Sequence, residues 1–447
     1  MKTKLITLLV LAIFVNTYAQ FGSQQIITTN ALLAQSVYAT DLDGDGDMDV
    51  LSASQSESEI AWHENDGDGN FGPQQIITTN AFGAFSVYAI DIDGDGDMDV
   101  LSASWQDAKI AWYENDGDGN FGPQQIISTN ALTAQSVYAE DIDGDGDMDV
   151  LSSSWHDNKI AWYENDGDGN FGTQQIITTN AFGAFSVYAE DIDGDGDIDV
   201  LSASTEDDKI AWYENDGDGN FGPQQIITTN ADGVRSVYAT DLDGDGDMDV
   251  LSASQHDNKI AWYENDGDGN FGTQQILTTD AFTARSVYAE DLDSDGDMDV
   301  LSAFGNTIAW YENDGDGNFG PQQILTTNAS GANSVYAEDL DGDDDMDVLS
   351  ASDVDDKIAW YENLHALSIN ENTLLDFSVY PSPTTGILNV QSTIPITHIE
   401  VYNQLGQLFA SNKNQNSINI SNVSQGIYLI KIMDEKGSIS TQKVVKK

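Results

Sequence analysis

Apolar residues in this chain fall in short β-type runs, and the runs recur at a fixed distance. Between Ser136 and Thr178 they occupy approximately residues 136–139, 149–153, 159–165 and 171–178. Val, Ile, Tyr and Trp dominate these runs, with Gly, Asp and Asn clusters between them, and no sustained helical period appears. Phe-Gly-x-Gln-Gln-Ile returns at Phe21, Phe71, Phe121, Phe171, Phe221, Phe271 and Phe319. Ser-Val-Tyr-Ala returns at Ser36, Ser86, Ser136, Ser186, Ser236, Ser286 and Ser334, and Ile-Ala-Trp at Ile60, Ile110, Ile160, Ile210, Ile260, Ile308 and Ile358. The period is 50 residues, shortened once to 48 around residues 304–307, and seven units result.

Val137, Tyr138, Ala139, Ile160, Ala161, Trp162 and Tyr163 leave no polar face, so each four-stranded unit must be covered on both sides. Radial stacking of such sheets about an axis does this and protects their edges. The pattern predicts an all-β fold, a seven-bladed β-propeller over residues 20–363. An open β-solenoid is the alternative, but its strands run parallel and closer together. The repeats open at Phe21-Gly22-Ser23-Gln24-Gln25-Ile26 and stop after Trp360-Tyr361-Glu362-Asn363. If blades start at Ser-Val-Tyr-Ala, the last one lacks its fourth strand, and residues 21–28 are expected to supply it by pairing with residues 358–363.

The ends differ from the repeats. Residues 1–19 read as a secretory signal: Lys2 and Lys4, an apolar run over residues 5–15, then Thr17-Tyr18-Ala19 before Gln20. That run is far short of the roughly 20 residues needed to span a bilayer. A linker is expected over residues 364–372 and a small β-sandwich over 373–447. In that tail Phe377-Ser378-Val379-Tyr380 alternates and breaks at Pro381 and Pro383, and later β-type runs are separated by turns at Gly406 and Gly426.

Charge changes the picture. The 447 residues carry 15 basic and 77 acidic side chains, a formal charge of −62. A phosphate backbone would be repelled, so nucleic acid is not an expected partner. There is no cysteine, hence no disulfide or thiol chemistry. The hydrophobic fraction is 40% and the acids recur at fixed positions, which points to a bound cation rather than to disorder. From residue 369 onward six lysines meet five acids, so the tail is near neutral.

The acids concentrate between the first and second runs of each unit, as Asp-x-Asp-x-Asp-x-Asp-x-Asp. The candidate metal ligands are Asp41, Asp43, Asp45, Asp47 and Asp49, then Asp91, Asp93, Asp95, Asp97 and Asp99, then Asp141, Asp143, Asp145, Asp147 and Asp149. They continue through Asp191, Asp193, Asp195, Asp197 and Asp199, then Asp241, Asp243, Asp245, Asp247 and Asp249. Asp291, Asp293, Asp295, Asp297 and Asp299, and finally Asp339, Asp341, Asp343, Asp345 and Asp347, complete the set. Ca²⁺ takes about 6–8 oxygens, and alternating carboxylates on a glycine turn supply them; Mg²⁺ wants stricter octahedral sites. Positions 1, 3, 5 and 9 are expected to give side-chain oxygens and position 7 its backbone carbonyl. Without a cation, two such charges about 4 Å apart repel by about 1 kcal/mol in water and about 4 kcal/mol at an effective dielectric near 20. In the last loop Asp344 replaces the position-6 glycine, so that site is expected to bind most weakly. Ser294, at position 4 of the sixth loop, should matter less. A second cluster, Asn-Asp-Gly-Asp-Gly-Asn, begins at Asn65, Asn115, Asn165, Asn215, Asn265 and Asn313 and reads as hairpin turn chemistry. Contact of Asp66 or Asp68 with calcium is the alternative.

These strand–loop–strand units resemble FG-GAP/VCBS repeats, the family that builds integrin α-subunit propellers and many bacterial surface proteins. The resemblance covers residues 21–363 and implies seven blades with about seven calcium sites. The tail resembles the type IX secretion sorting domain of Bacteroidetes through Tyr380-Pro381-Ser382-Pro383-Thr384 with Gly386, Val401-Tyr402-Asn403-Gln404-Leu405-Gly406-Gln407, Gln425-Gly426-Ile427-Tyr428-Leu429 and Thr441-Gln442-Lys443-Val444-Val445-Lys446. Ser382 stands where that family usually has Asn. This resemblance implies export through periplasm and outer membrane by the type IX machinery, to a secreted or cell-surface location.

The Asp-rich loops are nearly invariant between copies, whereas the connections at the other ends of the strands vary. Diversity on loops over a rigid scaffold is where binding is commonly built. Trp105, Trp155, Phe85, Phe185, Arg235 and Arg285 are the candidate ligand contacts; neutral drift explains the same diversity. Tryptophans that recur in one strand position, Trp62 and its equivalents, read as core. The five histidines suggest no nucleophile constellation, and no catalytic residue is assigned. The sequence therefore reads as a calcium-binding extracellular recognition or adhesion module for a glycan or protein. The alternatives are a polysaccharide lyase or hydrolase using the variable face, and a purely structural surface component.

Overall fold

The computed structural model describes residues 20–364, 377–392, 395–403, 408–413, 415–434 and 439–447. The signal over 1–19, linker residues 365–372 and the turn at Gly406 lie outside them. The chain divides into two compact units, Met1–His365 and Ala366–Lys447. Among the described residues every element is a strand, and no helix is long and apolar enough to cross a membrane.

In the first unit β1 (Gln25–Thr28) precedes β2 (Ala34–Thr40), β3 (Asp49–Ser54), β4 (Glu59–His63) and β5 (Gln75–Thr78). Strands β2 to β5 pair antiparallel in order, and five further sheets repeat the arrangement. The seventh sheet takes Ala332–Glu338, Asp347–Ser352 and Lys357–Tyr361 from the end of the repeats and β1 from their start. Its register is Gln25↔Trp360, Ile26↔Ala359 and Thr28↔Ile358, with Phe21 bridging Asn363. The ring thus closes as the phase of the repeat predicts, giving the seven-bladed propeller.

Burial follows position in the blade. Every residue of β3 is buried, because sheets cover both of its faces. Strand β5 lies outermost and leaves Ile76 58% exposed. One cluster joins Leu42, Leu51, Ile60 and Trp62 of the first unit to Ala84, Val87, Val100 and Tyr113 of the second, and each later junction repeats it. Along the axis Tyr38, Tyr88, Tyr138, Tyr188, Tyr238, Tyr288 and Tyr336 form a closed ring, with neighbouring centroids 4.7–5.0 Å apart. The expected strands shift slightly. The first begins at Ala134 rather than Ser136, and the fourth begins at Gln175 rather than Phe171. Phe171 instead bridges Asn165 across the turn, and its ring joins the cluster around Trp112.

The second unit is a small sandwich. Phe377–Tyr380, Ile387–Ser392 and Ser417–Asn419 form one sheet; Leu408–Lys413, Ile396–Tyr402, Gly426–Asp434 and Ile439–Lys446 form the other. Leu388, Ile399, Val401, Ile430, Ile432 and Val444 meet in one core between them.

Candidate functional site

Each Asp-rich loop joins the first strand of a blade to the second. In the loop over residues 41–49 the Asp41 carboxylate accepts the Gly44 N–H at 2.8 Å and the Gly46 N–H at 3.0 Å. Asp45 accepts the Asp47 N–H at 3.0 Å. This winding gathers carboxylate oxygens of Asp41, Asp43 and Asp45 within 4.8 Å of one another, and the second loop gathers Asp91, Asp93 and Asp99. Seven such acidic groups occur among the described residues, five of them drawn from the first five loops. At position 3, Oδ1 of Asp43, Asp143, Asp193, Asp243, Asp293 and Asp341 is buried without a hydrogen-bond partner. An orphaned buried anionic oxygen is costly, and a cation bound by oxygens satisfies it. The donor set is all-oxygen and fits a hard cation. Burial, with repulsion from Asp45, Glu64 and Asp41, holds the Asp43 carboxyl above its ordinary range.

Position 9 has a second task. Asp49 accepts the Leu42 N–H at 2.9 Å and the Asn65 N–H at 2.8 Å. Burial still pushes its carboxyl up to about 7. The Asp47 side chain turns away from the cluster: a Cβ added to Gly67 would lie 2.5 Å from its Oδ1. Asp66 accepts from the Asp68 and Asn70 amides at 3.1 and 3.2 Å, an Asx-type turn in keeping with the hairpin reading. Asp344 has φ 69° where the other loops place glycine at 95–98°, and Ser294 has φ 59°. In the first loop a Cβ on Gly44, the counterpart of Ser294, would meet the Gly117 carbonyl of the next blade at 2.9 Å. The seventh unit has no Asn-Asp-Gly turn, so Ser294 meets no such carbonyl.

Asn65 and its six equivalents do more than the sequence suggests. The Asn115 side-chain amide donates to Leu42 O of the preceding blade at 2.7 Å and to Met98 O of its own loop at 3.0 Å. Asn65 does the same across the closure, to Leu340 O at 2.7 Å. Each Asp-rich loop is therefore tied to its neighbour through one buried amide. In the sequence each of these asparagines follows a glutamate and six of them open the Asn-Asp-Gly cluster, but neither pattern names an inter-blade partner.

At the other ends of the inner strands a cavity of about 460 Å³ opens on the axis. All six candidate contacts, Trp105, Trp155, Phe85, Phe185, Arg235 and Arg285, line it. They come from two repeat positions, the residue before Ser-Val-Tyr-Ala and the residue after the second strand. Gln35, Gln135 and Asn333 occupy the first of these positions, and Gln55 and Asp353 the second. The same positional signal marks them in the sequence, but their side chains are neither aromatic nor cationic. Phe85 meets Phe185 edge-on at 5.6 Å, and Trp155 meets Phe185 at 6.0 Å. Arg285 pairs with Asp353 at 2.6 Å and bonds Asn333 at 3.0 Å. Arg235 lies over the Phe185 ring, 4.8 Å from its centroid. Burial and then Arg285 bring its guanidinium down to about 10, still charged at neutral pH. Trp155 donates to Glu206 at 2.9 Å, and His156 bonds Thr133.

The FG-GAP-like repeat family matches residues 41–102, 91–152, 141–202, 191–252, 241–302 and 291–350, six overlapping windows that each span two successive Asp-rich loops. The secretion system C-terminal sorting domain family matches residues 378–447. A type IX sorting tail marks export to a secreted or cell-surface location and implies handling by that secretion machinery. No curated protein matches the chain. Among solved structures, one described as the structural basis of specific recognition of non-reducing terminal N-acetylglucosamine by an Agrocybe aegerita lectin superposes with TM-score 0.52 at 20% identity. That match covers 72% of this chain and 86% of the lectin, and its likeness is one of fold. The extracellular domain of a putative hybrid two-component system from B. thetaiotaomicron gives TM-score 0.48 at 12% identity, over 96% of this chain and 57% of that one. With matched repeats across most of the propeller and a sorting domain behind them, the chain belongs to the FG-GAP-like repeat family.

Proposed function

We propose that this protein is an extracellular recognition module that binds a saccharide in the axial cavity, on a propeller stiffened by calcium in its Asp-rich loops, and that it is not an enzyme. The observation that carries this reading is the convergence of four aromatic side chains and two arginines from five blades on one cavity. Its volume falls in the usual range for small-ligand sites, about 300–1,000 Å³. Aromatic faces pack against the C–H faces of sugar rings, while Gln135 leaves its buried amide oxygen free for a hydroxyl. The acidic groups in the cavity are engaged already, Asp353 by Arg285 and Glu206 by Trp155, which favours binding over acid–base catalysis.

Calcium would act at a distance. Gln35 and Asp41 stand at opposite ends of β2, about 20 Å apart for an extended strand. The ion has no reach to the ligand and serves to fix the strand ends. On a glycan array the protein is expected to bind a restricted saccharide set, and Trp155→Ala to weaken that binding by about tenfold or more. Chelation is expected to lower the melting temperature, since each site filled at about a hundred times its Kd contributes roughly 2.7 kcal/mol. An unchanged melting temperature counts against the calcium assignment, and release of reducing ends from a bound polysaccharide counts against the non-enzymatic one.

A further inference from the structure

The propeller repeats hold seven basic residues, Lys109, Lys159, Lys209, Lys259, Lys357, Arg235 and Arg285. Each of the five lysines pairs with the aspartate two residues before it, at 2.6–2.9 Å. Arg285 pairs with Asp353. Arg235 alone among them has neither an ion pair nor a hydrogen bond: its contact is the face of Phe185, and its buried Nε has no partner. In a chain with 77 acidic side chains, carboxylates are not scarce. A half-buried cation left without one is costly unless something else completes it.

The surroundings say what kind of group that is. Trp105 Nε1 and Arg285 Nε, two more buried donors lining the same cavity, also lack an acceptor. Three unsatisfied donors, two of them on guanidiniums, outnumber the unpartnered oxygens Gln135 Oε1 and Asp353 Oδ1 and suit an anion, and a guanidinium binds planar carboxylates and tetrahedral sulfates alike through paired N–H groups. Arg285 contributes positive potential nearby while its own charge is held by Asp353.

We propose that the axial cavity selects an anionic sugar residue, whose carboxylate or sulfate completes the coordination of Arg235 while the aromatic side chains hold the ring. This rests on the saccharide-binding reading and deepens it from any sugar to an acidic one. The acidic surface elsewhere would repel such a polymer, so binding is confined to a terminal or locally exposed residue entering the cavity.

Calorimetry with the full-length exported protein in calcium buffer tests this with three oligosaccharide sets of matched length: oligogalacturonate, sulfated oligogalactan and neutral oligogalactan. One anionic set is expected to bind about tenfold or more tightly than the neutral one and to weaken as salt is raised; which set does so identifies the acid. Arg235→Gln is expected to erase that preference, Arg235→Lys to keep part of it, and both to retain the wild-type melting temperature. Arg235→Met, which preserves the stem over Phe185, replaces the Gln variant if that one does not fold. Neutral sugars binding as tightly as anionic ones, or an anionic preference that survives Arg235→Gln, overturns this inference and leaves the saccharide reading standing. Absence of binding to every set overturns both.

Discussion

At the scale of single residues the Asp-rich loops depend on backbone angles as much as on charge. Glycine at position 6 stands at φ 95–98°, where an L side chain meets its own backbone, and its N–H reaches the position-1 carboxylate. In the seventh loop Asp344 makes that hydrogen bond at 2.9 Å, but from φ 69°. Left-handed backbone costs a non-glycine residue roughly 1–2 kcal/mol, and an additional carboxylate adds repulsion until a cation arrives. On the proposed calcium reading, Asp344→Gly is therefore expected to tighten binding at the seventh loop about five- to tenfold, read as loss of a weak phase in a calcium titration. An unaltered isotherm would show that the substitution is neutral. The clustering of carboxylates was legible because five alternating aspartates have few other uses. The second task of Asp49 was not, because its partner, the Asn65 amide, lies sixteen residues away at the end of another strand.

At the scale of blades, what matters is how one sheet holds the next. The tryptophans of the third strand were readable as core from their recurrence, and Trp62 indeed lies between blades with Phe121 edge-on at 6.5 Å. The polar half of the junction was not readable, since nothing in Glu-Asn reveals that the amide points into a neighbouring blade. Asn165 is 2% exposed and donates to Ile92 O at 2.7 Å and Met148 O at 3.1 Å. Asn165→Ala leaves both carbonyls without that donor. We expect a loss of about 2–4 kcal/mol, measured as a shift in the denaturation midpoint. The second and third Asp-rich loops should lose amide-exchange protection together, because the Asn165 side chain ties both. Independent behaviour of the two loops would mean that apolar packing alone couples the blades.

At the scale of the whole propeller the seam decides stability. Repeat phase revealed that the last blade borrows its outer strand, and period alone revealed how many blades there are. Repeat position marks residues 35, 85, 185, 235 and 285 as equivalent and residues 105 and 155 as another equivalent pair; the closed ring brings the two sets around one axis. The seam is held by β1 against Lys357–Tyr361, by Gln24 Nε2 donating to the Tyr361 hydroxyl at 2.7 Å, and by Phe21 on Trp310 at 6.1 Å. Elsewhere the fourth strand follows its third through a short turn, but β1 is separated from its partner by the length of the repeat array. Its separation exposes the edge of Lys357–Tyr361 and uncovers Trp310 together. Phe21→Ala, at a site 8% exposed, is expected to cost about 3–5 kcal/mol. Its equivalent away from the seam, Phe121→Ala, removes the same ring from the same kind of pocket. The distinguishing measurement is hydrogen exchange: Phe21→Ala should release the amides of residues 25–28 and 357–361 in concert, and widen exchange along the inner strands that enclose the cavity. Phe121→Ala should loosen only its own junction. If residues 357–361 stay protected in Phe21→Ala, the ring does not depend on its borrowed strand, and the cavity on the axis would have to be held in shape by the tyrosine ring instead.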